Sequence, residues 1–305
     1  MTYESPQALR QALAARARQA ARDTDASSND LITRFYLVRL LARVFQADPD
    51  AWLLKGGQAL LARYPDARHS SDIDLCGTSA TTTLDDAVAT LIRAAALDLD
   101  DYLHFTVHSR EDRTDGNGTS RVRFKVQLGG RPINTPVSVD VVTNRVPLGQ
   151  PTYKRLEPAV PLDWPTGYPV VALYPMVDHV ADKVCALYEL HGTDHTIPST
   201  RYRDLVDLLL IAHREPLDGP LVHLALRTEV RRRRARGTVL DLPSTFTIPG
   251  TNWPTGYRTA ATKVAGLANY RTIELAAGLA HTLLDPLLGP DDPPQRWNPR
   301  RLGWE

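Results

Sequence analysis

Hydrophobic and polar positions divide the chain into a first half that mixes helical and strand periods and a second half that reads helical. Ser5-Pro6 opens a helix running to about Arg22, with Ser5 as N-cap and Pro6 at the first helical position. It is rich in Ala and Arg and is expected at the surface. A second helix, from Ser28 or Asn29 to about Gln46, places Leu31, Phe35, Val38, Ala42 and Phe45 at spacings of three and four. Leu37, Leu40, Leu41 and Val44 widen that stripe, so the helix is expected to be buried along much of its length. Asp48-Pro49-Asp50 stops it and leads to a strand over Ala51–Lys55. Gly56-Gly57 then reads as a turn, followed by a short helix and a second strand through Asp72-Ile73-Asp74-Leu75.

Further on, Leu84 to about Leu97 has the apolar face Val88, Leu91, Ile92 and Ala95 of a helix. Leu103 to about Ser109 and Arg121–Leu128 read as strands. In the second, Val122, Phe124, Val126 and Leu128 alternate with Arg121, Arg123, Lys125 and Gln127. The turn-rich Glu111–Gly118 joins them as an exposed hairpin loop. Pro136–Val142 is another strand. Residues 143–172, rich in Pro, Gly and Thr, read as a connector of little regular structure containing the domain boundary. Helices are expected from Tyr174-Pro175 to about His191, around Arg201–Leu209, over about 219–234 and over about 257–284. The tail from Gly289 has no legible pattern. The expected organisation is an N-terminal lobe over 1–160, helical to 50 with a mixed-sheet core over 51–145, and a mainly helical lobe over 161–305.

Composition narrows the class. The 305 residues, 43% hydrophobic and 23% charged, suit an ordinary globular protein with a substantial core. No apolar run approaches the ~18–20 residues of a membrane span, no secretory signal is visible at Met1–Pro6, and two cysteines are too few for a disulfide framework. The expected location is cytoplasmic. The net charge of +1 carries no bulk electrostatic argument. Locally, nine arginines face five acids between Arg201 and Arg236, most densely over Arg231–Arg236. Such runs are commonly solvated helix ends favourable to the dipole, but they also suit a phosphate backbone.

Chemistry concentrates in Lys55–Leu60 and His69–Leu75. Alternation puts Asp72 and Asp74 on one face of a strand, ~6–7 Å apart, while Ile73 and Leu75 enter apolar packing. Carboxylates so placed repel unless a cation sits between them. Such hard oxygen ligands suit Mg²⁺ (or Mn²⁺) shared with substrate phosphates. Gly56-Gly57 lets backbone approach a phosphate, and a following helix N-terminus favours an anion. Together these are the elements of a nucleotide site. Ser70 and Ser71 alone need mean no more than turn chemistry. His69 and Cys76 flank the motif without partners at zinc-ligand spacing.

Gly-Gly-x-Ala-Leu followed about a dozen residues later by Ser-x-Asp-Ile-Asp-Leu resembles the AbiEii/AbiGii nucleotidyltransferase-like toxin family, which includes MenT-type toxins, within the DNA polymerase β-like superfamily. Asp182-Lys183 and Arg203-Asp204-Leu205-x-Asp207-Leu208 are similar to its second motif cluster, and the resemblance spans roughly residues 51–210. It implies an α+β fold: a polymerase-β-like lobe with a mixed sheet, flanked by a mainly helical C-terminal lobe. It implies that Asp72, Asp74 and Asp140 bind metal, with Asp140 also orienting or deprotonating the attacking hydroxyl. Gly56 and Gly57 would hold phosphate and Lys183 the triphosphate of an NTP. Asp204 would orient Lys183 or reach the nucleotide, Asp207 could be structural, and Arg203 could touch phosphate or pair with an acid. Ser70 occupies the position of a serine facing the metal site, where phosphorylation would block it. A Gly-Ser typical of the wider superfamily is Gly56-Gly57 here, as in this toxin branch, so a hydroxyl contact to phosphate is absent.

The function so implied is that of a toxin in a toxin–antitoxin pair. It would be a Mg²⁺-dependent nucleotidyltransferase adding nucleotides, pyrimidines for preference, to the 3′ acceptor end of tRNA and so blocking aminoacylation and translation. Its partners would be a cognate antitoxin, tRNA and an NTP, with no membrane. Two alternatives compete. One keeps the site but uses a protein or small-molecule acceptor; the other is a catalytically inactive RNA- or partner-binding module using Arg231–Arg236.

Overall fold

A computed structural model describes residues 3–24, 26–113 and 118–305. Half of the expected hairpin loop, 114–117, lies outside the described residues. The chain forms two compact units, the first comprising Met1–Pro65, His69–Val146 and Pro151–Tyr174, the second Asp66–Arg68, Pro147–Gln150 and Pro175–Glu305.

The first unit opens with α1 (Pro6–Ala20) and α2 (Ser28–Ala47). Ser5 caps α1 by accepting from the Ala8 amide at 3.2 Å, and Ser27 and Asp30 form a capping box at the start of α2. α1 is less superficial than its composition suggests, because Leu9, Leu13 and Ala17 line a buried face. α2 buries two arginines: Arg39 Nε donates to Asp101 Oδ2 at 2.7 Å, and Arg43 Nη2 donates to Asp101 Oδ1 at 2.5 Å. These charges are buried only because they are paired. They sit on a helix whose apolar stripe gave no sign of them.

β1 (Trp52–Lys55), α3 (Gly56–Arg63), β2 (Asp72–Gly77) and α4 (Leu84–Ala95) follow, then the antiparallel β3 (Leu103–Asp112), β4 (Thr119–Leu128) and β5 (Arg131–Val142). β3 takes in Glu111 and Asp112, which the turn-rich composition had assigned to the loop. Two further strands, β6 (Thr152–Arg155) and β7 (Val170–Leu173), arise inside the expected connector. Four residues each are too short to show a period, and β7 is fixed by β1 and β6 on its two sides. The resulting sheet has seven strands in the order β3-β4-β5-β2-β1-β7-β6. It is mixed, parallel at β2/β5 and β1/β7 and antiparallel elsewhere. Val122, Phe124, Val126, Val137, Val139 and Val141 supply its fully buried face, packed in one core with α2 and α4 side chains.

The second unit is built from α5 (Met176–Tyr188), α6 (Tyr202–Arg214), α7 (Gly219–Arg234), α8 (Trp253–Ala261), a 3₁₀ turn (Ala265–Tyr270) and α9 (Ile273–Leu288). The single helical pattern expected over 257–284 is thus three pieces, the last capped by Thr272, which accepts from the Leu275 amide at 3.4 Å. The tail that showed no pattern forms a small antiparallel sheet from β8 (Leu217–Asp218), β9 (Arg296–Asn298) and β10 (Gly303–Trp304). Trp297 anchors it, fully buried, its indole donating to the Ala212 carbonyl at 2.7 Å. Among the described residues no helix is long and apolar enough to cross a membrane.

Candidate active site

Residues opposite one another on paired strands share a face of the sheet. The observed registers set a row of charges on one such face. Lys55 lies opposite Asp74, Asp74 beside Asp140, Asp140 opposite Arg121, and Arg121 opposite Glu111. Asp72, two residues before Asp74, shares its side of β2. Three carboxylates are therefore gathered on β2 and β5, with one cation on either side of the Asp74–Asp140 pair.

Arg121 engages both oxygens of Asp140, Nε donating to Oδ1 and Nη2 to Oδ2, each at 2.6 Å. Its Nη2 is also 4.0 Å from Asp72 Oδ2, and Arg113 Nη2 is 3.9 Å from Asp140 Oδ2. Hydrogen bonding to Asp140 holds the Arg121 pKa well above its usual value, partial burial opposing and the charges of Asp140, Asp72 and Asp74 reinforcing. On the other flank Lys55 is buried with Nζ 5.2 Å from the centroid of the Tyr174 ring.

The two glycines have a task that their sequence does not reveal. Gly56 is the first residue of α3, with φ +63°, and a Cβ there would stand 1.8 Å from Asp74 Oδ2. A Cβ on Gly57 would stand 2.5 Å from both Cβ and Oγ of Ser70. There is no separate turn; the helix begins at the glycines, and their bareness lets Asp74 and Ser70 lie against it. Ser70 is buried, its Oγ donating to Asp72 Oδ1 at 3.1 Å and its carbonyl accepting from Gln58 Nε2 at 2.8 Å.

Asp72, Asp74 and Asp140 present hard oxygen donors of the kind Mg²⁺ or Mn²⁺ takes. A guanidinium already stands in for a cation between Asp140 and Asp72. The residues thus fit a divalent ion in kind and charge. In the present arrangement Asp140 is turned to Arg121, and among the described residues no three His, Cys, Asp or Glu side chains converge as a metal site.

The second unit carries the other predicted residues. Lys183 of α5 is buried, its Nζ donating to Asp204 Oδ1 at 2.8 Å and to Asp207 Oδ2 at 2.6 Å. Arg68 grips both oxygens of Asp207 at 2.9 and 2.7 Å, and Arg201 Nε donates to Asp204 Oδ2 at 2.5 Å. Burial lowers the Lys183 pKa, but the charges of Asp204 and Asp207 outweigh it and raise the net value. Asp204 and Asp207 thus together hold Lys183, both accepting from its ammonium. Arg203 is exposed, and the arginine that pairs with Asp204 is Arg201.

The arginine run of α7 is largely committed to its own unit. Arg233 bonds Asp182, Glu189 and Glu229, Arg232 bonds Glu229, and Arg234 bonds Asp241. This removes much of the free positive charge on which the RNA-binding alternative rested. Sequence reasoning passed over Lys55, Arg68, Arg121 and Arg201. The one signal in hand was the polar face of β4, where Arg121, Arg123 and Lys125 recur at every second position.

The family model for nucleotidyltransferase AbiEii toxins of type IV toxin–antitoxin systems matches residues 39–277. Among solved structures, the chain is similar to the nucleotidyltransferase toxin MenT4 of Mycobacterium tuberculosis H37Rv, with 19% identity, 87% of this chain and 92% of that one covered, and a TM-score of 0.49. It is similar also to JHP933 of Helicobacter pylori, with 15% identity, coverage of 83% and 90%, and a TM-score of 0.45. No curated protein matches the chain significantly.

Proposed function

We propose, since the chain belongs to the AbiEii family of nucleotidyltransferase toxins, that it transfers a nucleotidyl group from an NTP, for preference a pyrimidine nucleotide, to the 3′ end of tRNA. The observation that carries this reading is the β2/β5 register, which sets Asp74 beside Asp140 with Asp72 on the same strand face. Family membership makes the protein a nucleotidyltransferase toxin and implies an antitoxin partner. The acceptor, the base and the metal belong to the proposal.

In this reading Asp72, Asp74 and Asp140 hold Mg²⁺ or Mn²⁺, which when bound supplies positive charge to the phosphates. Asp140 orients the acceptor 3′-hydroxyl and takes its proton as the oxygen forms a bond to the α-phosphorus. The bond from that phosphorus to the bridging oxygen breaks, and pyrophosphate leaves. Gly56 and Gly57 offer α3 backbone to phosphate beside the Asp74 and Ser70 side chains that lie against them. Lys183, fixed by Asp204 and Asp207, supplies a compact charge for phosphate. A phosphate on Ser70 would add nearly two negative charges beside Asp72 and oppose nucleotide binding.

The test is incubation of the protein with each labelled NTP and total RNA. Label at the 3′ end of tRNA supports the reading, whereas label only in protein or small molecules overturns the tRNA acceptor. Asp72→Ala and Asp74→Ala should abolish both transfer and growth inhibition on expression. Undiminished inhibition by these variants would remove the enzymatic account of toxicity.

A further inference from the structure

The proposed metal site contains a cation of its own. Arg121 occupies both oxygens of Asp140 at 2.6 Å, in the two-pronged geometry that suits guanidinium and carboxylate. While both bonds hold, Asp140 is shared with a charge that a divalent ion must approach and that repels it. The groups facing Arg121 are Asp140, Asp72, Asp74 and Glu111, with Arg113 approaching Asp140 from the β3 side and Lys55 lying beyond Asp74. Of the two flanking cations, Lys55 is buried, while the Arg121 side chain keeps 30% of its surface exposed. Arg121 is therefore the one with solvent to move into.

We propose that Arg121 is the resident counter-ion of the carboxylate cluster, a positioning residue from which Asp140 must be released when a divalent ion binds. This rests on the metal reading of Asp72, Asp74 and Asp140 given above. Without metal, Arg121 offsets the repulsion between acids on adjacent strands and keeps the β2/β5/β4 register intact. As metal enters, at least one of its bonds to Asp140 opens, and the ion takes over the neutralisation. Arg121 thus lowers metal affinity and stabilises the metal-free protein, two effects of one pair of hydrogen bonds. A strand-pairing salt bridge with no part in the site would have only the second.

The experiment is Mn²⁺ binding to the full chain without nucleotide, followed by electron paramagnetic resonance, with melting temperatures in EDTA and in Mn²⁺. It compares the unaltered protein with Asp74→Asn, Arg121→Gln and Arg121→Lys. Arg121→Gln is expected to bind Mn²⁺ about two- to fivefold more tightly, the scale on which a partly exposed ion pair competes. It should also melt lower than the unaltered protein in EDTA and gain more on adding Mn²⁺. Arg121→Lys, retaining charge without the fork, should fall between the two. If Mn²⁺ binding requires Asp74 but is unchanged or weaker in the Arg121 variants, the counter-ion role is overturned and the metal reading stands. If the unaltered protein binds no Mn²⁺, or Asp74→Asn binds equally well, both are overturned. Should Arg121→Gln not fold, the affinity of Arg121→Lys decides the matter alone, tighter binding supporting the proposal and equal or weaker binding overturning it.

Discussion

Gly56 and Asp74 are bound by a steric relationship: the space a Gly56 Cβ would fill is taken by Asp74 Oδ2, 1.8 Å away. Gly56 also has φ +63°, which costs a non-glycine residue ~1–2 kcal/mol. Gly56→Ala is therefore expected to push Asp74 out of the carboxylate row, weakening Mn²⁺ binding at least tenfold and abolishing nucleotidyl transfer. Gly130 separates strain from displacement, since its φ is +74° and nothing lies within 4 Å of the Cβ it would acquire. Gly130→Ala should cost stability on the same ~1–2 kcal/mol scale while leaving Mn²⁺ affinity and transfer unchanged. Equal Mn²⁺ affinity in Gly56→Ala and the unaltered protein would sink the argument.

Lys183 is held between two carboxylates that are as buried as it is. Removing the ammonium leaves Asp204 and Asp207 to Arg201 and Arg68 alone. Breaking one partner out of a buried ion network typically costs ~3–5 kcal/mol, and the two remaining arginines place Lys183→Met toward the lower end. Urea unfolding should report that loss, and transfer assayed under conditions where the variant remains folded should still be abolished. Full transfer by folded Lys183→Met would remove Lys183 from the phosphate-binding role.

Acid should attack both units through buried aspartates. Burial by itself would raise Asp101 and Asp204, but Arg43 and Arg39 around the first, and Lys183 and Arg201 around the second, outweigh it and lower both pKa values. A carboxylate depressed in the folded state contributes stability that is fully present above its unfolded pKa, ~3.9, and lost as pH falls through the folded value. Through these two groups the melting temperature is expected to be flat from neutrality to about pH 5 and to fall below about pH 4. Asp101→Asn, although less stable at neutral pH, should lose less on acidification than the unaltered protein. An unchanged acid slope would show that Asp101 is not among the groups responsible.

The parts of the fold legible in the sequence were those with long periods. α2, α4 and β4 announced themselves through repeated apolar positions, and the start of α1 through Ser5 and Pro6, whereas the Ser27–Asp30 capping box of α2 went unread. β6, β7 and the C-terminal sheet escaped because strands of two to four residues take their structure from partners distant in sequence. The site divides in the same way. Asp72 and Asp74 stood out by their spacing, and Asp140 only through the family resemblance. Arg121 became visible only with the β4/β5 register, since alternate basic residues on a strand ordinarily mean a solvated face. The Gly-Gly pair was noticed for what it could bind, whereas the folded chain shows what it makes room for.

Arg233 is the test of how much of the α7 arginine run is structural. Burial would lower its pKa, but Asp182, Glu229 and Glu189 around it outweigh that effect and raise it. Arg233→Met would take an arginine from Asp182, Glu189 and Glu229, the last of which keeps Arg232, and is expected to cost on the order of 3 kcal/mol in chemical unfolding. Exposed Arg231, which donates to Thr228 Oγ1 at 3.2 Å, should tolerate Gln within about 0.5 kcal/mol. Equal losses from the two substitutions would contradict this division.

Ser70 is expected to act as a negative switch on nucleotide binding. Its Oγ donates to Asp72 Oδ1, and on its other side it packs so closely on Gly57 that even a methyl group there would stand 2.5 Å from it. Added charge at Ser70 therefore has to lie beside the Asp72 carboxylate, where it repels a triphosphate. Ser70→Glu should weaken NTP binding at least tenfold in a titration with labelled nucleotide. Ser70→Ala, which forfeits one hydrogen bond worth ~1 kcal/mol, should stay within about fivefold of the unaltered protein. The comparison separates charge from packing, since Ser70→Gln is similar in size to Ser70→Glu and brings no charge. If Gln impairs binding as severely as Glu, crowding at Gly57 is the cause and the electrostatic switch fails.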